Sequence, residues 1–188
     1  MLRWLRQQAE TSRKAEELYG SVVTAARQPA FYGVLGVPDI PEGRFELVAL
    51  HLFLALEGLR GKGAAAEELT RRTIEAFVVD MDDCMREMGV GDLTVPKRVK
   101  RAAAAFYERA SVYRQELAEA GAPGLSNSLR SYVFAGSAER EDGAAGLAHY
   151  MQAASSALSD RTFDEFVNTG IASGLLAAAT SRCKVSTT

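Results

Sequence analysis

The feature that most constrains this fold is a pair of helical patterns between Glu67 and Arg114. In the first pattern, the apolar residues recur at steps of three to five, with Val78 directly after Phe77, and share one broad side: Leu69, Ile74, Phe77, Val78, Met81, Met85 and Met88. In the second, they step by four and three, as in a helix packed on a helix: Val99, Ala103, Phe106, Ala110, Tyr113 and Leu117. We therefore predict a helical hairpin with its apolar faces together.

The turn of this hairpin is marked by Gly89, Gly91 and Pro96. Both glycines are predicted to supply the positive-φ freedom that ends the first helix. Pro96 fits the first turn of the second helix, where no backbone N–H bond is lost.

The two helices of the hairpin carry opposite charge. Residues 67–92 hold eight acids and three arginines, a balance of −5, whereas residues 96–101 hold four cations and no acid. Cations at a helix N-terminus oppose the helix dipole, which indicates a docked acidic partner or the neighbouring acidic helix. Two solvated helix faces would also explain the pattern. A surface ion pair between Asp82 and Arg86 is expected.

Upstream, the segment from Phe45 to Leu59 is apolar on nearly all sides and is predicted to be the central buried helix. At about fifteen residues it is too short to span a bilayer. His51, which lies inside it, is expected to be a core residue with one hydrogen-bonded nitrogen. The residues from Pro29 to Pro41 are predicted to form a loop, fixed by an ion pair between Arg44 and Asp39.

The remaining segments complete a predicted all-α single domain, residues 1–188, of about seven helices. Residues 1–27 form the first helix, whose start (1–16) carries a Leu-Trp-Leu and arginine patch. This patch could rest on an anionic membrane, but because it is only one or two turns long we favour a frayed or self-docked terminal helix. Ser126 or Asn127 is predicted to cap the next helix, and residues 136–146 to form a polar loop. A helix with Leu147, Met151, Ala154 and Leu158 inward follows, and Ser159 or Asp160 caps the last one. Residues 183–188 are expected to be a loose tail.

Several classes of function find no support in the sequence. The two cysteines form no C-x-x-C motif and point to a reducing compartment. No nucleotide-binding, hydrolase or zinc motif is present, and two histidines exclude a histidine-rich metal site. Mg²⁺ or Ca²⁺ on carboxylates alone stays formally open. We therefore predict a binding protein without catalysis, cofactor or metal.

Two long segments resemble one protein family. They are DMDDCMREMGVGDLTVPKRVKRAAAAFYER at Asp80–Arg109 and YGVLGVPDIPEGRFELVALHLFL at Tyr32–Leu54. Both are similar to segments of the ubiquinol–cytochrome c chaperone family, whose members are assembly factors for cytochrome b of the respiratory bc1 complex. With weaker helical similarity, the resemblance extends from about Glu17 to Leu176. It implies a chaperone that holds newly made cytochrome b until haem and partner subunits arrive.

The predicted partner-binding residues combine the charges and methionines of the hairpin: Asp80, Asp82, Asp83, Arg86, Asp92, Lys97, Arg98, Lys100, Arg101, Met81, Met85 and Met88. The methionines could line an adaptable groove or be ordinary core residues. A second set is expected to maintain the family-like structure: Asp39, Gly43, Arg44, Phe45, Gly89 and Gly91.

The expected partners are cytochrome b, with ribosomal RNA near the tunnel exit as a further target that the resemblance suggests. DNA is not expected as a partner, because the pI of the chain is slightly acidic. We expect a bacterial cytoplasmic protein, with a possible peripheral contact on the inner face of the membrane. The alternative is a membrane-peripheral helical adaptor that recruits a ribosome or insertase through the basic cluster.

Overall fold

The computed structural model describes residues 2–119 and 123–171, with side chains from Gln8 to Glu119 and from Gly124 to Ile171. These residues form eight α-helices and one 3₁₀ turn, and no strand occurs among them. The elements are α1 (Leu2–Ala26), α2 (Pro29–Gly33), α3 (Pro41–Leu59), α4 (Ala64–Glu87), α5 (Val95–Ala118), α6 (Pro123–Val133), the 3₁₀ turn (Ala138–Arg140), α7 (Glu141–Ser159) and α8 (Phe163–Thr169). The predicted all-α class is confirmed.

Helix α3 forms the centre of the bundle. It packs against α1, α4, α5, α6 and α7, and its side chains are buried on nearly every side, including Leu47, Leu50, Leu52, Phe53 and Leu54. This environment suits a helix without a polar face. The helix starts four residues earlier than predicted, because Pro41 fits its first turn.

His51 lies within α3 and is fully buried. Its Nδ1 lies 2.7 Å from the Leu47 carbonyl oxygen and therefore carries the proton, so Nε2 accepts from the Tyr150 hydroxyl at 2.8 Å. The predicted core role is confirmed, but both ring nitrogens are bonded rather than one. Burial lowers the pKa of His51 to about 4, so the ring is neutral near pH 7.

The predicted hairpin of α4 and α5 is present. Phe77 and Phe106 meet across it with ring centroids 5.6 Å apart, and both are buried. Gly89 has φ of +77° just after α4, as expected. The prediction for Gly91 is wrong, since its φ is not positive. Its carbonyl instead accepts from the Thr94 N–H at 2.7 Å, a turn that needs no special residue.

The segment from Pro29 to Pro41 is not wholly a loop as predicted. Pro29 begins the short helix α2, because a proline at the first helical position loses no hydrogen bond. Phe31 on this helix is buried, with its ring centroid 5.1 Å from that of His51. The short helix thus closes one side of the core around α3.

Three predicted helix starts are also wrong. Helix α6 begins at Pro123, so Ser126 and Asn127 lie inside it. Helix α7 begins at Glu141 within the expected polar loop, and its acidic first turn suits the helix dipole. Thr162, rather than Ser159 or Asp160, caps α8 through a reciprocal bond with Glu165.

The predicted inward residues of α7 are buried: Leu147, Met151, Ala154 and Leu158. In the part of the chain that the structure describes, no helix is long and apolar enough to cross a membrane. The side chains of the N-terminal apolar patch, the tail at 183–188 and Cys183 lie outside the described residues.

Candidate functional site

A groove of about 500 Å³ runs along the hairpin between α4 and α5. Its apolar surface comes from Val78 and Val79 on α4 and from Pro96, Val99 and Ala103 on α5. The valine, proline and alanine side chains are too short to fill the space between the two helices, so a groove is left at the surface. The inner residues Phe77 and Phe106 fill the space beneath.

Exposed apolar side chains are concentrated on the hairpin. Six large ones are exposed among the described residues, and four of these belong to the hairpin: Val79, Met88, Leu93 and Tyr107. Val79 is 60% exposed and lines the groove. Such clustering is typical of a surface that contacts another molecule.

The walls of the groove carry opposite charge. Asp82 and Asp83 stand on the α4 side, and Lys100 stands on the α5 side. Arg86 lies 2.6 Å from Asp82, as predicted, and is also paired with Asp92 in the turn. The paired acids therefore help to hold the end of α4 against the turn, which leaves Asp83 as the uncompensated acid of that wall.

The four cations of the basic cluster, Lys97, Arg98, Lys100 and Arg101, are exposed in the first turns of α5. Within the described residues, none of the four forms an ion pair. The acidic helix α4 thus leaves this positive charge available to another molecule.

Asp80 has a partner inside the protein. It accepts a hydrogen bond of 2.7 Å from the Tyr19 hydroxyl and thereby connects α4 to α1. Burial and this bond raise the pKa of Tyr19. The half-buried Cys84 thiol lies next to the same carboxylate. Asp80 therefore has a structural role in joining α4 to α1, in addition to the predicted role in partner binding.

The three predicted methionines differ in environment. Met81 is half-buried against the core, Met85 is half-buried, and Met88 is 60% exposed next to the turn. None of them lines the groove between α4 and α5. Short aliphatic residues supply its apolar surface instead.

The two family-like segments meet through an ion pair that sequence reasoning missed. Arg109 of α5 donates to both carboxylate oxygens of Glu46 on α3, at 2.6 and 2.7 Å. Both side chains are largely buried, and the guanidinium lies 4.5 Å from the centre of the Tyr132 ring. The sequence signal that could have indicated this pair was an acidic residue, Glu46, in one family-like segment and a basic residue, Arg109, in the other.

The Gly-Arg-Phe-Glu entry to α3 is tightly packed. Arg44 lies 2.7 Å from Asp39, so the predicted ion pair is formed. A β-carbon on Gly43 would collide with the Pro38 carbonyl, and Phe45 packs near Phe77. These contacts orient the start of α3 against the hairpin.

In the described parts of the chain, no three His, Cys, Asp or Glu side chains are arranged to hold a metal ion. The hairpin combines an apolar groove, exposed aliphatic residues and a cationic cluster, and a second, more polar cleft of about 700 Å³ lies between α1 and α4. This combination is typical of an all-α protein that binds another macromolecule.

Comparison with known proteins identifies the family. The chain belongs to the ubiquinol–cytochrome c chaperone family, whose model matches residues 34–173. The structure is similar to the crystal structure of the Cbp3 homolog from Brucella abortus, with a TM-score of 0.77 and 29% sequence identity. That match covers 92% of this chain and 93% of the other. No curated protein matches the chain significantly.

Proposed function

We propose that this protein is a non-catalytic chaperone that binds newly synthesised cytochrome b and supports assembly of the respiratory bc1 complex. The observation that carries the proposal is the family match over residues 34–173. An unassembled membrane subunit exposes apolar segments, so its holder needs apolar surface of its own.

The groove between α4 and α5 is the best candidate for the client site. Val78, Val79 and Val99 offer apolar contact, while Asp83 and Lys100 offer charge on opposite walls. Apolar contact holds a segment without demanding one sequence, and the opposite charges favour one direction of the bound chain. A client segment with a basic and an acidic edge would fit this surface.

Site-specific crosslinking tests this assignment. A photoreactive residue in place of Val79 should crosslink to nascent cytochrome b, because that side chain is 60% exposed at the groove. Val79 also borders the cleft between α1 and α4, so a photoreactive residue in place of Val99, which lines only the groove of these two, should crosslink as well. The matched control is the same residue in place of Val34, which is 75% exposed but follows α2 outside the hairpin. Equal crosslinking from Val34 and from the groove positions would contradict the groove as the client site.

Function is tested by Val79→Asp in cells. The substitution places a charge on apolar groove surface and should lower the amount of haem-containing bc1 complex at least severalfold, measured by difference spectroscopy of membranes. Val34→Asp is the control and should leave it unchanged. If deletion of the whole protein left the amount and haem content of the complex unchanged, the assembly role itself would be wrong.

The exposed basic cluster supports a second candidate, a membrane-peripheral adaptor that recruits a ribosome or insertase. Reversing the charge of Lys97, Arg98 and Arg101, with Lys100 of the groove wall retained, separates the two functions. Lost cosedimentation with ribosomes, together with intact capture of cytochrome b, would favour the adaptor. Lost capture with intact ribosome binding would favour the chaperone.

A further inference from the structure

The tip of the hairpin, residues 88–95, exposes aliphatic side chains at the end of the molecule formed by the α4–α5 turn. Leu93 is 99% exposed and Met88 is 60% exposed. A leucine wholly in water at the apex of a turn gains nothing from the fold, since it buries no surface against it. The tip therefore presents apolar surface outward.

The turn holds this apolar surface in a defined position. Val95 is fully buried at the base of the tip and anchors the start of α5. Hydrogen bonds from the Thr94 and Val95 N–H groups to the Gly91 carbonyl, at 2.7 and 3.2 Å, close the turn around Leu93. Arg86 joins Asp92 of the turn to the end of α4.

The chain from the end of α4 through the first turns of α5 has a positive charge balance, although Asp82 and Asp83 lie just before it on α4 and line the groove with Lys100. Residues 86–101 contain five cations and two acids, a balance of +3. Because Arg86 is paired with Asp82 and Asp92, the turn's own acid is neutralised. The exposed basic cluster begins two residues after Val95, within the first turns of α5.

We propose that the tip is a membrane-contact site that docks on an anionic phospholipid bilayer. Leu93 and Met88 enter the interfacial layer, and Lys97, Arg98 and Arg101 of the basic cluster bind the lipid phosphates, while Lys100 lines the groove. Exposed apolar side chains flanked by lysine and arginine are the combination that binds anionic bilayers. Single-stranded RNA would favour aromatic side chains for base stacking, and residues 86–101 contain none.

Vesicle cosedimentation tests the electrostatic part. The full-length protein should pellet with vesicles of phosphatidylglycerol and phosphatidylcholine, and should not pellet with phosphatidylcholine alone. Each exposed cation near such a surface contributes about fivefold in affinity, so Lys97→Glu with Arg101→Glu should lower binding well over tenfold. High salt should have the same effect.

The control reverses two exposed arginines outside the hairpin, Arg13 and Arg60, which pair with Glu17 and Glu57 on their own helices. Arg60 lies just before the start of α4, about 36 Å along that helix from its end at Glu87. Arg13→Glu with Arg60→Glu changes the net charge equally and should leave most of the binding. An equal loss in both double variants would mean that binding follows overall charge, and would overturn the proposed site.

Insertion of the tip is tested separately by Leu93→Trp in a Trp4→Phe background. The new indole should shift its emission to the blue on anionic vesicles and be quenched by brominated lipid. Emission that stays at the wavelength of water-exposed indole, while the protein pellets, would overturn the proposal. The proposal would also be overturned if the protein did not pellet with anionic vesicles. It would be overturned as well if the Lys97→Glu/Arg101→Glu variant lost binding to RNA but kept its binding to vesicles. Failure here leaves the client groove untouched, since crosslinking from Val79 measures that site independently.

Discussion

At the scale of single residues, His51 makes the stability of the protein depend on pH. Its pKa is about 4 in the folded protein, against an ordinary value of about 6.5 when unfolded. Between these values the unfolded chain binds the extra proton, so the folded state loses stability as pH falls. Above about pH 6.5 the ring is neutral in both states and costs no stability. Between about pH 6.5 and pH 4 the free energy of unfolding falls progressively, because only the unfolded chain binds the proton.

We expect this group alone to lower the free energy of unfolding by about 2 kcal/mol between pH 7 and pH 5. Urea denaturation at the two pH values measures the change. His51→Gln should be less stable at pH 7 but should show a smaller loss at pH 5, because glutamine does not titrate. An unchanged pH dependence in this variant would show that His51 is not the responsible group.

The buried ion pair between Glu46 and Arg109 has a different effect on stability. Glu46→Ala leaves the Arg109 guanidinium largely buried without its partner, and should lower the free energy of unfolding by about 3 kcal/mol. Glu46→Leu combined with Arg109→Leu should recover part of the loss, since no unpaired charge then remains. Thermal or urea unfolding provides the measurement.

The neighbouring pair between Arg44 and Asp39 is the control for this experiment. Both side chains are mostly exposed, so water already solvates them. Arg44→Ala should therefore leave the unfolding midpoint nearly unchanged. A larger loss for Arg44→Ala than for Glu46→Ala would contradict the importance of burial.

At the scale of elements, the turn between α4 and α5 depends on one of its two glycines. Gly89 has φ of +77° with open space around its α-carbon, so only backbone strain opposes a side chain there. Gly89→Ala should cost about 1 kcal/mol in unfolding free energy, whereas Gly91→Ala should cost almost nothing. Equal effects in urea denaturation would be evidence against this difference between the two positions.

At the scale of the whole molecule, periodic apolar residues made the helices predictable, while contacts distant in sequence did not follow from any local pattern. Leu147, Met151 and Leu158 share one face of a helix, so their burial could be read from spacing. Helix starts were less predictable, because proline and serine suit both loops and first turns.

The candidate site could be predicted only as a region. The charges of the hairpin were visible in the sequence, but the bond from Tyr19 to Asp80 joins residues 61 positions apart. The groove was also hidden, since short side chains at Val79, Val99 and Ala103 leave a gap only when two helices pack.

The length of α5 between the tip and the far end of the groove determines how far the groove can lie from a membrane that the tip contacts. From Val95 to Ala103 the axis rises about 12 Å, so the groove would extend at most that far above the lipid headgroups if the tip rests on them with α5 perpendicular to the bilayer. An extended chain spans this distance in about four residues and a helix in about eight. The groove would then receive a short apolar stretch of a polytopic client just outside the bilayer, at the end of a membrane-spanning helix.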